Sequence, residues 1–127
     1  SEGSCMVIVA TDAPLDSRNL KRLAKRALLG IARTGGFYSN ASGDYAIAFS
    51  TASGLRILHN SSSPTQQIEI LQNSQMSPLF MAAAEAAEEA ILNSLFKAQP
   101  MQGRDGHKVE ALPLDKLKKI MEEAPKR

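Results

Sequence analysis

The sequence predicts an α/β fold in which buried strands alternate with amphipathic helices. Three observations favour this class: two short apolar runs, a stripe of apolar residues at helical spacing between them, and an alanine-rich helical segment in the second half. The chain has 127 residues, of which 43% are hydrophobic and 22% are charged. Because this length and composition suit one soluble globular unit with its own core, we expect residues 1–127 to form a single domain.

The first half of the predicted fold is a strand, a helix and a second strand. Residues 5–10 form a continuous apolar run, which is typical of a strand buried on both faces. Asp16 or Ser17 can cap the helix that follows, and the Gly-Gly pair at 35–36 ends it. The apolar stripe of this helix consists of Leu20, Leu23, Ala24, Ala27 and Ile31. Residues 45–49 then predict a second buried strand.

A weaker strand and a long helix follow. Residues 55–58 are a short apolar island between Ser-, Thr- and Asn-rich segments, and we interpret them as a weak strand. Ser77 supplies a capping hydroxyl and Pro78 suits the first turn of a helix that extends to about Ala98. Because this helix is rich in alanine, it can approach a neighbouring layer closely.

The last segment predicts a tight turn, a short strand and a final helix. The turn covers residues 103–106 and the strand residues 108–112. Asp115 is the predicted cap of an amphipathic helix that runs through Ile120. The alternation of strands and helices therefore continues to the end of the chain.

Composition excludes several kinds of site and partner. A net charge of +2 and a pI near 8.8 are too weakly basic to require a nucleic acid. The single cysteine, Cys5, allows neither an internal disulfide nor a cysteine-rich metal site, and His59 and His107 lie far apart. No apolar run reaches the roughly 18 residues of a membrane span, and no signal-peptide pattern is present. We expect no metal, no cofactor and no membrane partner, and a cytoplasmic location with the periplasm as the alternative.

Three features allow a functional and a structural interpretation. The basic side of the first helix suggests a non-catalytic α/β module that binds a polyanion, but without interleaved aromatics a solvated surface is favoured. Glu85, Glu88 and Glu89 are favoured as solvent contacts or partners of basic residues rather than as an acid/base cluster. Cys5 is favoured as an inert core residue rather than as a nucleophile, because it lies in an apolar strand. The basic side of the first helix, mentioned above, consists of Arg18, Lys21, Arg22, Lys25 and Arg26.

Ser4 stands at a Gly-Ser step that runs directly into the first strand. If the bond before Ser4 is cut, its new α-amine, with a pKa of about 7.7–8.0, becomes a general base beside its own hydroxyl. Ser42 and Asp44 lie in the loop before the second strand, so they can converge with Ser4 if the two strands are neighbours, antiparallel or parallel, in suitable stagger. From the residues alone, a structural turn remains the favoured interpretation of this Ser-Gly-Asp loop.

Several ordered motifs resemble the second subunit of the DmpA/BapA aminopeptidases, which include L-aminopeptidase/D-esterase and β-peptidyl aminopeptidase. The resemblance begins with Ser4 and the segment that follows it, Cys-Met-Val-Ile-Val-Ala-Thr-Asp-Ala-Pro-Leu, and it covers almost the whole chain. The matching segments are residues 4–15, 20–26, 30–35, 42–44, 48–51, 87–93 and 103–106.

This resemblance implies a precursor that cuts itself between Gly3 and Ser4 into an α and a β chain. It implies a four-layer αββα sandwich of the DmpA type, of which this chain supplies the C-terminal part. Ser4 is then the nucleophile of a serine aminopeptidase or amidohydrolase, assisted by Ser42 and Asp44. The implied partners are the α chain of the same precursor, further αβ heterodimers and a small peptide, amide or ester substrate.

Two departures from the family pattern follow from the sequence. Ser1, Glu2 and Gly3 precede Ser4, so these residues are uncut precursor or an addition made for expression, or Ser1 itself is the nucleophile. We favour Ser4 because it alone leads immediately into the strand. Asp44 stands where some relatives have a glutamate. The alternative functions are the binding module described above and a family member that acts on a non-peptide amide.

Overall fold

The chain folds into mixed helices and strands, which confirms the predicted α/β class. The computed structural model describes residues 3–125, and the chain divides into two compact units, Ser1–Glu89 and Ala90–Arg127. The long second helix begins in the first unit and continues into the second. The elements in chain order are β1 (Met6–Thr11), α1 (Ser17–Arg33), β2 (Tyr45–Ser50), α2 (Met76–Lys97), β3 (Met101–Gln102), β4 (Lys108–Val109) and α3 (Leu114–Glu123).

Strands β1 and β2 pair in parallel. Their register runs from Met6 opposite Tyr45 to Thr11 opposite Ser50. The backbone N–H of Tyr45 donates to the carbonyl of Cys5 at 3.1 Å, which extends the pairing to the start of both strands. Because parallel strands begin at the same edge of a sheet, the residues that precede β1 lie beside the loop that precedes β2.

Only one face of these two strands is buried in this chain, and the expectation of burial on both faces is wrong. Val7 and Val9 pack against the core, whereas Met6 and Ile8 on the opposite face of β1 are 60% and 64% exposed. β2 alternates in the same way. The exposed apolar face of the sheet consists of Met6, Ile8, Tyr45, Ile47 and Phe49. The helical side of the first unit covers the other face, which carries the two valines.

Helix α1 begins and ends where the local sequence predicts. Asp16 is the N-cap, and its Oδ1 accepts a hydrogen bond from the backbone N–H of Asn19 at 2.8 Å. After Arg33 the chain turns away at Gly35, whose φ of +98° favours glycine. The buried core of the first unit comprises Leu15, Leu23, Ala27, Met76, Ala83 and Ala87.

The α1 and α2 helices cross closely at Gly30, as the small side chains of α2 predict. A Cβ placed on Gly30 would lie 2.6 Å from the Cβ of Ala87 and 2.6 Å from the backbone nitrogen of Glu88. Real Cβ atoms essentially never approach other heavy atoms so closely. The glycine is therefore a packing requirement of the helix pair.

The predicted strand at residues 55–58 is absent. A 3-10 turn at Ser53–Leu55 replaces its start, and Ile57 and Leu58 are 90% and 70% exposed. An apolar island forms a strand only where a neighbouring strand accepts its hydrogen bonds and a core covers its side chains. Within the described part of the chain, residues 56–58 have neither.

Three element boundaries also differ from the prediction. Helix α2 begins at Met76, directly after a 3-10 turn, so Ser77 lies inside its first turn. Strand β4 covers only Lys108–Val109 of the expected 108–112, because its antiparallel partner β3 is equally short. Pro113, rather than Asp115, is the cap residue of α3. Asp115 lies within the first turn, where its negative charge interacts favourably with the positive end of the helix dipole. Within residues 3–125, no helix combines the length and apolarity needed to cross a bilayer.

Candidate active site

The parallel pairing of β1 and β2 brings Ser4, Ser42 and Asp44 together at the amino edge of the two strands. The loop is tightened by a backbone bond from Ser42 N–H to the carbonyl of Ser39 at 2.9 Å. The backbone N–H of Gly43 donates to Ser4 Oγ at 3.0 Å. The sequence left the strand direction open, and the parallel register supplies the stagger that the convergence needs.

Both carboxylate oxygens of Asp44 are engaged. Its Oδ1 accepts a hydrogen bond from the backbone N–H of Cys5 at 2.7 Å. Its Oδ2 accepts a short hydrogen bond from Ser42 Oγ. The first contact fixes the carboxylate against the start of β1, so that the second oxygen stays directed at the Ser42 hydroxyl.

The Ser42 hydroxyl lies near two acceptor oxygens but has only one hydrogen to donate. Its Oγ lies 2.7 Å from the carbonyl oxygen of Gly3 as well as within hydrogen-bond distance of Asp44. Because a serine hydroxyl carries a single O–H donor, Ser42 donates to one of these oxygens at a time. The Gly3 carbonyl belongs to the Gly3–Ser4 peptide bond. The hydroxyl therefore either is held by the carboxylate or polarises the carbonyl of that bond.

A pocket of about 640 Å³ opens beside these residues. Its volume falls in the range of roughly 300–1,000 Å³ that is usual for small-molecule sites. Its lining includes Ser4, Ser42 and Asp44 together with the larger side chains of Phe37 and Tyr38. Sequence reasoning missed both aromatic residues. The available signal was their position, between the Gly-Gly helix stop and the Ser-Gly-Asp loop.

Tyr38 is held in an unusual backbone conformation at this pocket. Its φ of 55° lies in the left-handed region, which a residue with a side chain seldom adopts. Its hydroxyl donates a short hydrogen bond to the carbonyl of Leu28. Tyr38 is 43% exposed, and the partial desolvation of its hydroxyl raises its pKa; the neighbouring Asp44 and Cys5 raise it further. The Tyr38 hydroxyl therefore stays protonated, and able to donate a hydrogen bond, at pH values at which a free tyrosine has begun to ionise.

The other candidates do not join this cluster. Glu88 pairs with Arg33 at 3.1 Å, which confirms its interpretation as the partner of a basic residue. Cys5 is half-buried, and its backbone rather than its thiol contacts Asp44. His59 and His107 are exposed. Among residues 3–125, no three His, Cys, Asp or Glu side chains are grouped so that they could hold a metal ion. The alternative nucleophile Ser1, with Glu2, lies outside the described residues.

The basic face of α1 has an aromatic contact that the sequence of the helix does not reveal. The guanidinium carbons of Arg22 and Arg26 lie 4.9 Å and 4.3 Å from the ring centroid of Phe80 on α2. These distances are those of cation–π pairs. Two of the five basic residues are thus engaged in packing α1 against α2.

Comparison with known proteins decides the family. A model of peptidase family S58 matches residues 1–109. The chain belongs to peptidase family S58. This match confirms the resemblance to the DmpA/BapA aminopeptidases and includes every residue of the Ser4 cluster.

Two curated relatives are similar over most of the chain. A β-peptidyl aminopeptidase BapA of Sphingosinicella microcystinivorans is 40% identical over 120 residues, which cover 94% of this chain and 30% of the relative. The BapA of Sphingosinicella xenopeptidilytica is 36% identical over the same share of both chains. The chain therefore spans about 30% of the length of these curated relatives.

Solved structures show the same fold. The PH0078 protein of Pyrococcus horikoshii OT3 matches with a TM-score of 0.79 and 55% identity over 91% of this chain and 32% of that protein. The L-aminopeptidase D-Ala-esterase/amidase of Ochrobactrum anthropi, described as a variant of the Ntn hydrolase fold, matches with a TM-score of 0.80 and 36% identity over 92% of this chain and 32% of its own. These likenesses confirm the predicted DmpA-type fold class.

Proposed function

We propose that this chain is the nucleophile-bearing β part of a serine aminopeptidase of the DmpA type, which removes N-terminal residues from peptides, amides or esters. One observation carries the proposal: Ser42 Oγ lies 2.7 Å from the carbonyl oxygen of the Gly3–Ser4 bond and within hydrogen-bond distance of Asp44, while the next residue, Gly43, contacts Ser4 Oγ. Membership of peptidase family S58 and the aminopeptidase names of several relatives support it.

The first reaction is self-cleavage before Ser4. The Ser4 Oγ attacks the carbonyl carbon of Gly3 while its proton passes to the Ser42–Asp44 pair. The carbon–nitrogen bond then breaks, the Ser4 nitrogen takes up the proton, and the Gly3 acyl group is left as an ester on Ser4 Oγ. Water hydrolyses this ester to a Gly3 carboxylate and a free Ser4. Proximity favours the step strongly, since the reacting groups belong to adjacent residues.

Substrate hydrolysis reuses the same hydroxyl. The Ser4 Oγ, deprotonated by its own α-amine or by Ser42 and Asp44, attacks the substrate carbonyl, and the leaving amine takes the proton. Water then releases the acyl group from the Ser4 ester and restores the hydroxyl. Donors to the oxyanion contribute about 2.7–4 kcal/mol each. We propose that part of these donors come from the α chain of the same precursor.

The exposed apolar face of the sheet supports the proposal of an α-chain partner. Tyr45, Ile47 and Phe49 of this face are each about half exposed, beside the exposed Met6 and Ile8 of β1. A contiguous apolar face of this kind marks an interaction surface. An αββα sandwich would cover it with a second sheet from the α chain.

We further propose that αβ heterodimers assemble into an oligomer and that the protein is cytoplasmic. The same nucleophile would serve α-peptides, β-peptides, D-amino amides and other small amides as substrates.

The proposed function is tested in the full-length protein with an aminoacyl anilide. Ser4→Ala removes the hydroxyl and is expected to abolish both self-cleavage and anilide hydrolysis. Ser53→Ala, an exposed serine beyond the opposite end of β2, serves as the matched control and should change neither. Anilide hydrolysis by the Ser4→Ala variant would contradict the assignment of Ser4 as the nucleophile. Binding to a polyanion that weakens with salt and does not depend on Ser4 would favour the binding module instead.

A further inference from the structure

Gly43 contacts the nucleophile although it carries no side chain. It lies between Ser42 and Asp44, and its backbone N–H donates to Ser4 Oγ at 3.0 Å. This length is typical of an N–H···O hydrogen bond. The donor is directed at the oxygen atom that forms and breaks bonds in the proposed reaction.

Limited space beside Ser4 Oγ, rather than backbone conformation, favours glycine at this position. A Cβ built on Gly43 would lie 3.3 Å from Ser4 Oγ and 4.0 Å from Ser4 Cβ, and apart from the two chain neighbours it would meet no other described residue within 4 Å. A distance of 3.3 Å is tighter than nine in ten real Cβ contacts, so one of the two groups must shift by a few tenths of an ångström. The positive φ values that force glycine occur at Gly35 and Gly106 and not here.

We infer that Gly43 is a further catalytic residue of this site, acting through its N–H donor and through the space that its missing side chain leaves for Ser4 Oγ. The inference rests on the proposed function. The N–H stabilises negative charge on Oγ at two moments, when the hydroxyl proton leaves before attack and when Oγ departs from the acyl group. A preorganised backbone donor is effective because it needs no reorganisation as the charge develops.

The contact also explains the spacing of the Ser-Gly-Asp loop. Ser42 donates towards the Gly3 carbonyl or Asp44, Gly43 donates to Ser4 Oγ, and Asp44 accepts from the Cys5 N–H. Three consecutive residues thus contact three consecutive residues of the segment before β1. The middle contact holds the hydroxyl oxygen in register with the other two.

The test compares Gly43→Ala with Gly54→Ala in the full-length protein. A Cβ on Gly54 meets nothing within 4 Å and its φ is not in the left-handed region, so Gly54→Ala controls for the general effect of the substitution. Since misplacement by about 1 Å costs roughly 10²-fold, a shift of a few tenths of an ångström predicts a loss of about tenfold in kcat and in the rate of self-cleavage. KM for an aminoacyl anilide should stay within about twofold, because the substrate pocket is unchanged.

A second measurement separates reactivity from folding. An arylsulfonyl fluoride reacts with the Ser4 hydroxyl and displaces fluoride, and its rate per folded site should fall in Gly43→Ala in parallel with kcat. A rate equal to that of Gly54→Ala, or a rise in KM with kcat unchanged, would overturn the inference. Failure of the proposed function itself is distinguishable, since Ser4→Ala would then keep its turnover whatever Gly43→Ala does.

Discussion

Asp44 and Cys5 are joined by a hydrogen bond of 2.7 Å from the Cys5 backbone N–H to the Asp44 Oδ1. The contact ties the loop before β2 to Cys5, the residue immediately before β1. The same carboxylate uses its other oxygen for Ser42. A structural turn and a catalytic carboxylate were competing interpretations of this residue, and the geometry shows that one side chain has contacts suited to both.

Two substitutions of Asp44 test its two hydrogen bonds separately. Asp44→Asn keeps an Oδ1 acceptor for the Cys5 N–H but provides no carboxylate to take a proton from Ser42. Hydrolysis should fall by about 10²–10⁴-fold, the usual contribution of acid–base catalysis, with thermal stability little changed. Asp44→Ala also leaves the Cys5 N–H without its acceptor and should cost a further 1–3 kcal/mol or so in unfolding free energy. If Asp44→Asn lowers the unfolding free energy by as much as the loss of activity corresponds to in free energy, the residue has a structural role only.

The titration of Tyr38 tests the electrostatics of the pocket. In the full-length protein, the difference between the absorbance titrations of the parent and of Tyr38→Phe isolates the Tyr38 phenol. Its phenolate absorbance should appear at a pH above that of free tyrosine, about 10, because burial, Asp44 and Cys5 all raise the pKa. The same difference measured with Asp44→Asn in both proteins should give a lower midpoint, but only part of the way to the value of free tyrosine, since the partial desolvation remains. A midpoint unaffected by Asp44→Asn would contradict the electrostatic contact.

The sign of the accompanying stability change follows from the raised pKa. Between the unfolded-state pKa, about 10, and the higher folded-state value, the folded chain holds a proton that the unfolded chain has lost. The contribution of Tyr38 to stability is therefore fully present below about pH 10 and is lost as the pH rises through the folded-state pKa. Tyr38→Phe should remove this part of the alkaline loss in urea unfolding.

The helix crossing at Gly30 predicts a large effect for a small substitution. Gly30→Ala places a methyl group 2.6 Å from Ala87 Cβ and 2.8 Å from the Ala84 carbonyl oxygen. The overpacking should lower the unfolding free energy by about 1–3 kcal/mol, even though alanine favours helix. Urea unfolding of the full-length protein measures it. Adding Ala87→Gly should restore only part of the loss, because the backbone contacts remain; full recovery would show that the Cβ–Cβ contact alone limits the packing.

Glu88 tests the alternative acid/base cluster on α2. Its ion pair with Arg33 is partly exposed, with side-chain exposures of 33% and 47%. Glu88→Gln should therefore change stability by at most about 1 kcal/mol and leave anilide hydrolysis unaltered. A drop in kcat without a change in stability would give Glu88 a chemical role after all.

The parts of the fold that the sequence predicts are those with local signals. The Asp16 cap, the apolar stripe of α1 and the glycine stop at 35–36 each depend on residues near in sequence, and each is present. The convergence of Ser4 with the Ser42–Asp44 loop needed one fact beyond local pattern, the direction of β2 relative to β1.

The predictions that failed depend on contacts between distant segments. The apolar island at 55–58 has the composition of a strand but no partner strand among the described residues, and β1 has an apolar face that this chain leaves exposed. The position of Tyr38, between the Gly-Gly stop and the Ser-Gly-Asp loop, could have marked it as a residue near the site. Its left-handed backbone and its contact with the Leu28 carbonyl could not be predicted, because they arise only once the loop is folded.

The most direct test of self-cleavage at Gly3–Ser4 is the intact mass and N-terminal sequence of the full-length gene product. We predict a small chain that begins at Ser4 in the wild type and a single uncut chain in Ser4→Ala. An uncut wild-type product, or a chain that begins at another residue, would contradict Ser4 as the self-generated nucleophile.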